Sequence, residues 1–213
     1  MTQAQTQLPT DTWIYASWEE YERTIAELVN EKAKSYYYKG YMRLEILPVG
    51  FDHGQDHIVI IAAIALFTAL KGIPARGLDT ITFRKPGKKE CQPDLAYYFG
   101  ENTKIIPRGT GIVDLNIYPA PDLVIEIAKT SLLDDLGIKR SLYEDLNIKE
   151  YWIVDTQNAQ IIAYSIADKG SKRIEISLVL PGLDLNILEQ ALQQSWENDQ
   201  SQVSAWLLTQ FQH

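Results

Sequence analysis

Apolar and polar positions along the chain switch between helical and strand periods without an intervening linker. Ser17-Trp18-Glu19-Glu20 has the pattern of a capping box, and Tyr21, Ile25, Leu28 and Val29 follow at helical spacing, which predicts a first helix of about four turns. Residues 35–47, rich in Tyr and Ile and interrupted at Lys39-Gly40, predict a β-hairpin. Residues 56–70 are apolar nearly all round, with Ile58, Ile60, Ile61, Ile64 and Phe67, so this helix is expected to be central and buried on more than one side. Residues 78–83 and 94–99 predict an antiparallel pair around the basic turn Arg84 to Lys89, and a loop covers 100–121. Strand 123–128, helix 132–146 and strand 150–155 then form a unit that implies a right-handed parallel crossover. Segments 160–166 and 173–180 add an antiparallel pair, and a helical region, 186–211, broken near Asn198, closes the chain. The expected fold is α/β (α+β), a mixed sheet flanked by helices. The expected division is a tail at 1–11, one domain at 12–185 and a helical extension at 186–213.

Three charged residues fall where this pattern calls for core. Asp122, Val124, Glu126 and Ala128 share one strand face and Leu123, Ile125 and Ile127 the other, so Glu126 lies mid-strand among apolar neighbours. A strand feeding a parallel crossover is normally covered on both faces, and a buried carboxylate needs a cation. Leu132, Leu136, Lys139, Tyr143 and Leu146 form one helical stripe, which puts Lys139 on the core side as the partner for Glu126; the alternative is a lysine that snorkels to the helix edge. Asp94, after Pro93, opens an otherwise apolar strand. His57 at the start of the central helix and Glu45 on the second hairpin strand are weaker candidates, each with an ordinary structural alternative.

Composition narrows the chemistry. There are 213 residues, 46% hydrophobic, enough for a sizeable core, and no continuous apolar run long enough for a membrane span. No secretory signal pattern opens the chain, so a cytoplasmic location is expected. One cysteine, Cys91, and three histidines argue against a thiolate-histidine zinc cluster and favour a metal held by oxygens. No strand is followed by a glycine-rich phosphate fingerprint, and no Gly-x-Ser-x-Gly elbow occurs. The net charge of -8 requires any contact with nucleic acid to be local. Arg84, Lys85, Lys88 and Lys89 read as a solvated turn, with phosphate contact as the alternative. Two carboxylates and a lysine on neighbouring elements are the minimum set for metal-assisted phosphodiester hydrolysis, with Mg2+ (or Mn2+) as the ion.

Pro121-Asp122-Leu-Val-Ile-Glu126-Ile, Asp135-Leu-Gly-Ile-Lys139 with Tyr143, and Glu150-Tyr151-Trp152-Ile153-Val154-Asp155, in this order, resemble the Uma family of the PD-(D/E)xK, restriction-endonuclease-like superfamily. The resemblance covers the chain from the first helix to about Leu180. It implies a metal-dependent nuclease acting on DNA, in which Asp94 and Glu126 match the metal-binding acids and Lys139 the lysine, Ala128 standing where that lysine is usually found. His57 matches a histidine at the start of the central helix, and Glu45 and Asp122 are accessory acids. Ala128-Lys129-Thr130-Ser131 and Leu47-Pro48-Val49-Gly50 depart from the family's serine- and proline-rich segments near the site. The alternative function is a non-catalytic interaction or nucleic-acid-binding protein on a nuclease-derived scaffold, its aromatic surface formed by Trp13, Trp18, Tyr36, Tyr37, Tyr38 and Tyr41. The C-terminal helices are the candidate contact for a homodimer, with packing on their own sheet as the favoured alternative.

Overall fold

The computed structural model describes residues 9–28, 33–46, 50–128 and 131–212. The elements, in chain order, are β1 (Trp13–Tyr15), α1 (Trp18–Glu27), β2 (Ala33–Tyr38), β3 (Tyr41–Ile46), α2 (Phe51–Lys71), β4 (Ala75–Asp79), β5 (Thr82–Lys85), β6 (Lys89–Cys91), β7 (Leu95–Phe99), β8 (Ile112–Asp114) and β9 (Leu123–Ala128). They continue with α3 (Leu132–Asp134), a π-helical turn (Asp135–Lys139), α4 (Arg140–Leu146), β10 (Glu150–Asp155), β11 (Gln160–Ala167), β12 (Gly170–Ile174), α5 (Leu185–Ser195) and α6 (Gln200–Phe211). A short 3₁₀ turn follows β7.

Two mixed sheets result, ordered β1-β3-β2-β6-β5-β8 and β12-β11-β10-β9-β7-β4. The parallel pair β9/β10 is joined through α3, the π-turn and α4, as its strand-helix-strand pattern requires. The capping box at α1 is formed: Ser17 Oγ accepts from the Glu20 amide and the Glu20 carboxylate accepts from the Ser17 amide.

The predicted pairing of 78–83 with 94–99 is only half right. β4 pairs with β7, but the chain leaves that sheet at Thr80, whose φ of 52° turns it away, and β5 enters the other sheet to form a tight hairpin with β6. The return crossing runs through Gln92, Pro93 and Asp94. The two crossings are tied by the Thr80 amide donating to the Asp94 carbonyl at 3.0 Å and by Gln92 Nε2 donating to the Thr80 carbonyl at 3.1 Å. Asp94 is thereby held where the chain passes between sheets. The second strand of the last predicted pair is displaced: β12 starts at Gly170 and ends at Ile174, so it meets the expected segment 173–180 only at its beginning. The turn after it, residues 177–180, wraps the buried Glu150 carboxylate, which accepts from Ser177 Oγ, Trp152 Nε1 and the Leu178 and Val179 amides.

Helix α2 begins at Phe51, five residues before the predicted start. Gly50 caps it without a side-chain hydrogen bond, so the usual polar start signal is missing. By length and composition α2 could cross a membrane, but Val59, Ile60, Ala63, Ile64 and Phe67 are buried in a core shared with Leu123, Ile125 and Ile127 of β9 and with α5 and α6. Leu188, Leu192, Val203, Leu207 and Phe211 fill this same core, so the apolar stripe of the C-terminal helices is mostly spent internally, leaving Trp196 exposed. The other face of β9 meets a second core that contains Tyr36, Tyr38, Val124, Tyr143 and Tyr151. Tyr36, Tyr37 and Tyr38 are buried, so the expected aromatic surface is largely interior; of it Tyr41 is exposed. Lys129, Thr130 and residues 47–49, where the two family-like segments depart from pattern, lie outside the described residues, as does most of the N-terminal tail.

Candidate active site

β9 lies between β10 and β7, so Glu126 is covered from both sides and is 1% exposed. Its face of the strand looks across to the first sheet. There β2 and β3 run antiparallel with Lys34 opposite Glu45, so the two-residue strand period places Lys34 and Tyr36, and Arg43 and Glu45, on inward positions. The third wall is the helical segment after β9. Asp135, Lys139 and Tyr143, spaced four residues apart through the π-turn and α4, share its inward face, and all three are buried.

These walls bring together four carboxylates, Glu45, Asp94, Glu126 and Asp135, and three basic groups, Lys34, Arg43 and Lys139. Lys139 Nζ is 2.8 Å from Glu45 Oε1, 2.9 Å from Asp135 Oδ1 and 3.8 Å from Glu126 Oε1. It is 1% exposed, so it does not snorkel. Lys34 Nζ is 2.9 Å from Asp94 Oδ1, 3.3 Å from Glu126 Oε2 and 3.7 Å from Glu45 Oε2. Arg43 Nε donates to Glu45 Oε1 at 2.7 Å, and its Nη1 lies 3.0 Å from Asp134 on the rim.

Each of the two central acids has one oxygen anchored by the fold. Asp94 Oδ2 accepts from the Ile127 amide at 2.8 Å, and Glu126 Oε1 accepts from the Tyr143 hydroxyl at 2.6 Å; the Tyr36 hydroxyl lies 3.0 Å from Glu126 Oε1, 3.3 Å from Oε2 and 3.0 Å from the Gln92 carbonyl. Their other oxygens, Asp94 Oδ1 and Glu126 Oε2, converge on one ammonium group, that of Lys34. Two converging carboxylate oxygens suit a hard cation, which commonly takes one or two carboxylates and completes its shell with water and substrate oxygens. Among the described residues no three His, Cys, Asp or Glu side chains are grouped to hold a metal by themselves.

Electrostatics separates these acids. Burial raises Glu126 to about 7, because desolvation outweighs the attraction of Lys139 and Lys34. Asp94 and Glu45 are held below the usual carboxylate range: burial opposes this, but Lys34 with the Ile127 amide, and Lys139 with Lys34, prevail. Burial would strip both lysines of their protons, yet the surrounding carboxylates raise both above the ordinary lysine range. The sign for stability follows. From about pH 4.5 to about 7 the folded protein keeps a proton on Glu126 that the unfolded chain has released, so this group's contribution to stability falls as pH rises through that window. The melting temperature of the metal-free wild type, measured against that of Glu126→Gln, is therefore expected to fall between pH 5 and pH 8; a difference that stays flat or rises contradicts this.

Not every sequence candidate arrives here. His57 Nε2 faces the exposed Asp79 at 3.8 Å, outside the cluster; the earlier helix start puts His53 there instead, its Nε2 4.0 Å from Asp94 Oδ1. Burial lowers His53 below the ordinary histidine value, so it is neutral near pH 7. Asp122 lies four residues before Glu126, about 13 Å along the strand, and binds the Phe99 amide at 2.8 Å and Lys149 at 2.7 Å. Of the basic turn, Arg84 pairs with buried Glu90 and Lys89 with Asp145. Lys34, Arg43 and Asp135 were not singled out in the sequence. Lys34 precedes the point where the apolar pattern marks the hairpin, and only its register opposite Glu45 reveals its role.

A carboxylate pair where the chain passes between two sheets, backed by an inward lysine from the crossover helix, is set in a fold that this chain shares with its relatives, and their fold is that of a nuclease. The chain belongs to the Uma2 family, described as "Putative restriction endonuclease", whose model matches residues 18–205. The match reaches further than the sequence resemblance, into α6. No curated protein matches the chain. Among solved structures it is similar to "a putative nuclease belonging to DUF820" from Anabaena variabilis ATCC 29413, with 18% identity, a TM-score of 0.53, and coverage of 90% of this chain and 99% of the other. At that identity the likeness concerns the fold.

Proposed function

We propose that this protein is a divalent-metal-dependent endonuclease that hydrolyses DNA phosphodiester bonds at Asp94 and Glu126. The observation that carries this reading is the convergence of Asp94 Oδ1 and Glu126 Oε2 on a single cationic group while their partner oxygens are fixed by the Ile127 amide and by Tyr143 and Tyr36. A bound Mg2+ or Mn2+ would polarise the phosphate and lower the pKa of a bound water. Asp94 and Glu126 would hold that ion in fixed geometry, because neither can rotate without breaking its anchoring hydrogen bonds. Tyr36 and Tyr143 orient Glu126 and keep their own protons, since burial pushes both hydroxyls well above their ordinary value. Lys139 holds Glu45 and Asp135 and faces the anchored oxygen of Glu126, so its charge offsets the crowded carboxylates and keeps them in place. Neutral His53 is placed beside Asp94 to accept or pass on a proton at its imidazole nitrogen.

The test uses covalently closed plasmid DNA with the purified chain. Nicked or linear product is expected with Mg2+ or Mn2+ and none with excess chelator. A folded wild-type protein that cuts neither plasmid nor single-stranded DNA with either ion would overturn the reading in favour of an interaction module.

A further inference from the structure

The position between Asp94 and Glu126 already has a cationic occupant belonging to the chain itself. Lys34 Nζ lies 2.9 Å from Asp94 Oδ1 and 3.3 Å from Glu126 Oε2, the two oxygens that a divalent ion would need. A small ion such as Mg2+ must approach its oxygens to about 2.0–2.1 Å, and an ammonium group on the same two atoms would repel it strongly. The two cations exclude one another. Lys34 also has somewhere to go: Glu45 Oε2 is 3.7 Å away, on the opposing residue of the adjacent strand, while Glu45 Oε1 is bound by Arg43 and Lys139.

We infer that Lys34 is a built-in competitor of the divalent ion, satisfying Asp94 and Glu126 in the metal-free protein and moving onto Glu45 when the ion binds. This rests on the metal-dependent reading of the site and adds to it a regulation. The free ion concentration at which the site loads is set by the exchange of Lys34 between two sets of carboxylates, because only the fraction of molecules with Lys34 displaced is competent to bind. Glu45 thereby promotes loading without touching the ion.

The experiment is a Mn2+ titration of the full chain, followed by the loss of the electron paramagnetic resonance signal of free Mn2+, for wild type, Lys34→Met, Glu45→Gln and the double variant. If about a tenth or less of wild-type molecules are competent, Lys34→Met is expected to bind about tenfold tighter or better. Glu45→Gln is expected to weaken binding in the wild-type background, and most of that loss should vanish once Lys34 is Met. The double variant separates competition from the simple loss of a nearby charge. Should Lys34→Met not fold without metal, Lys34→Arg serves instead: a guanidinium that can bridge both carboxylates is expected to weaken Mn2+ binding several-fold, and equal or tighter binding contradicts the inference. Equal or weaker binding by folded Lys34→Met, or the same Glu45→Gln loss in both backgrounds, overturns it. If wild type binds Mn2+ and cuts DNA in these cases, only the competition fails. If no variant binds Mn2+, the metal-dependent reading fails with it.

Discussion

Replacing Glu126 with Gln is expected to slow Mg2+-dependent plasmid cleavage on the order of 10³-fold, with the fold intact. Gln keeps the shape of Glu and an acceptor for the Tyr143 and Tyr36 hydroxyls, so the anchoring hydrogen bonds that place the side chain survive. What it removes is the charge on Oε2, one of the two oxygens that converge with Asp94 Oδ1. Stability should not suffer greatly, because the charged form of Glu126 is already disfavoured by burial. Asp122→Asn supplies the contrast: it alters an acid on the same strand face whose partners are the Phe99 amide, Asn102 and Lys149, and cleavage should continue at the wild-type rate. Initial rates on closed circular DNA check both. A Glu126→Gln rate within about tenfold of wild type would remove Glu126 from the reaction.

Replacing Lys139 with Met is expected to cost about 3–5 kcal/mol of stability, the scale for deleting one partner of a buried ion-pair cluster. Met retains much of the aliphatic stem, so the loss is one of charge rather than volume. It leaves Asp135 with Ser131 as its remaining side-chain partner and leaves Glu126 with one ammonium neighbour instead of two. For a chain of this size the melting temperature should fall by roughly 6–20 °C. The deficit should be smaller at pH 5 than at pH 8, since Asp135 and Glu126, both raised by burial, take up protons and no longer need the missing cation. Thermal melting at the two pH values measures this, and a pH-independent deficit would mean that Lys139 acts by packing alone.

How much of this was legible in the sequence depends on whether the signal was periodic. The two-residue alternation in β9 marks Glu126 as buried because its neighbours on both sides are apolar, and the helical stripe likewise marks Lys139. The α1 cap and the β9 to β10 crossover follow from local patterns of the same kind. Features that depend on where the chain changes direction were not legible. The left-handed Thr80 splits one apolar run between two sheets, and nothing in a Thr announces it. The uncapped start of α2 at Gly50 hides that His53, rather than His57, turns toward Asp94. Lys34 stands between Ala33 and Ser35, with no apolar run on either side to mark it as buried, and becomes a counter-ion only through the packing of one sheet on the other. Asp135 stands four residues before Lys139, so helical spacing already puts it near that face; beside Asp134 it reads as a solvated acid until packing buries it.

In the proposed function one hard cation sits between Asp94 and Glu126. Fe2+ loaded in place of Mg2+, with ascorbate and peroxide, cuts a polypeptide beside the bound ion, and mass spectrometry locates the cuts. Breaks are expected next to Asp94 and Glu126 that excess Mg2+ suppresses and that Glu126→Gln abolishes. Cleavage elsewhere in the chain, or breaks at these positions that neither Mg2+ nor the substitution affects, would contradict it.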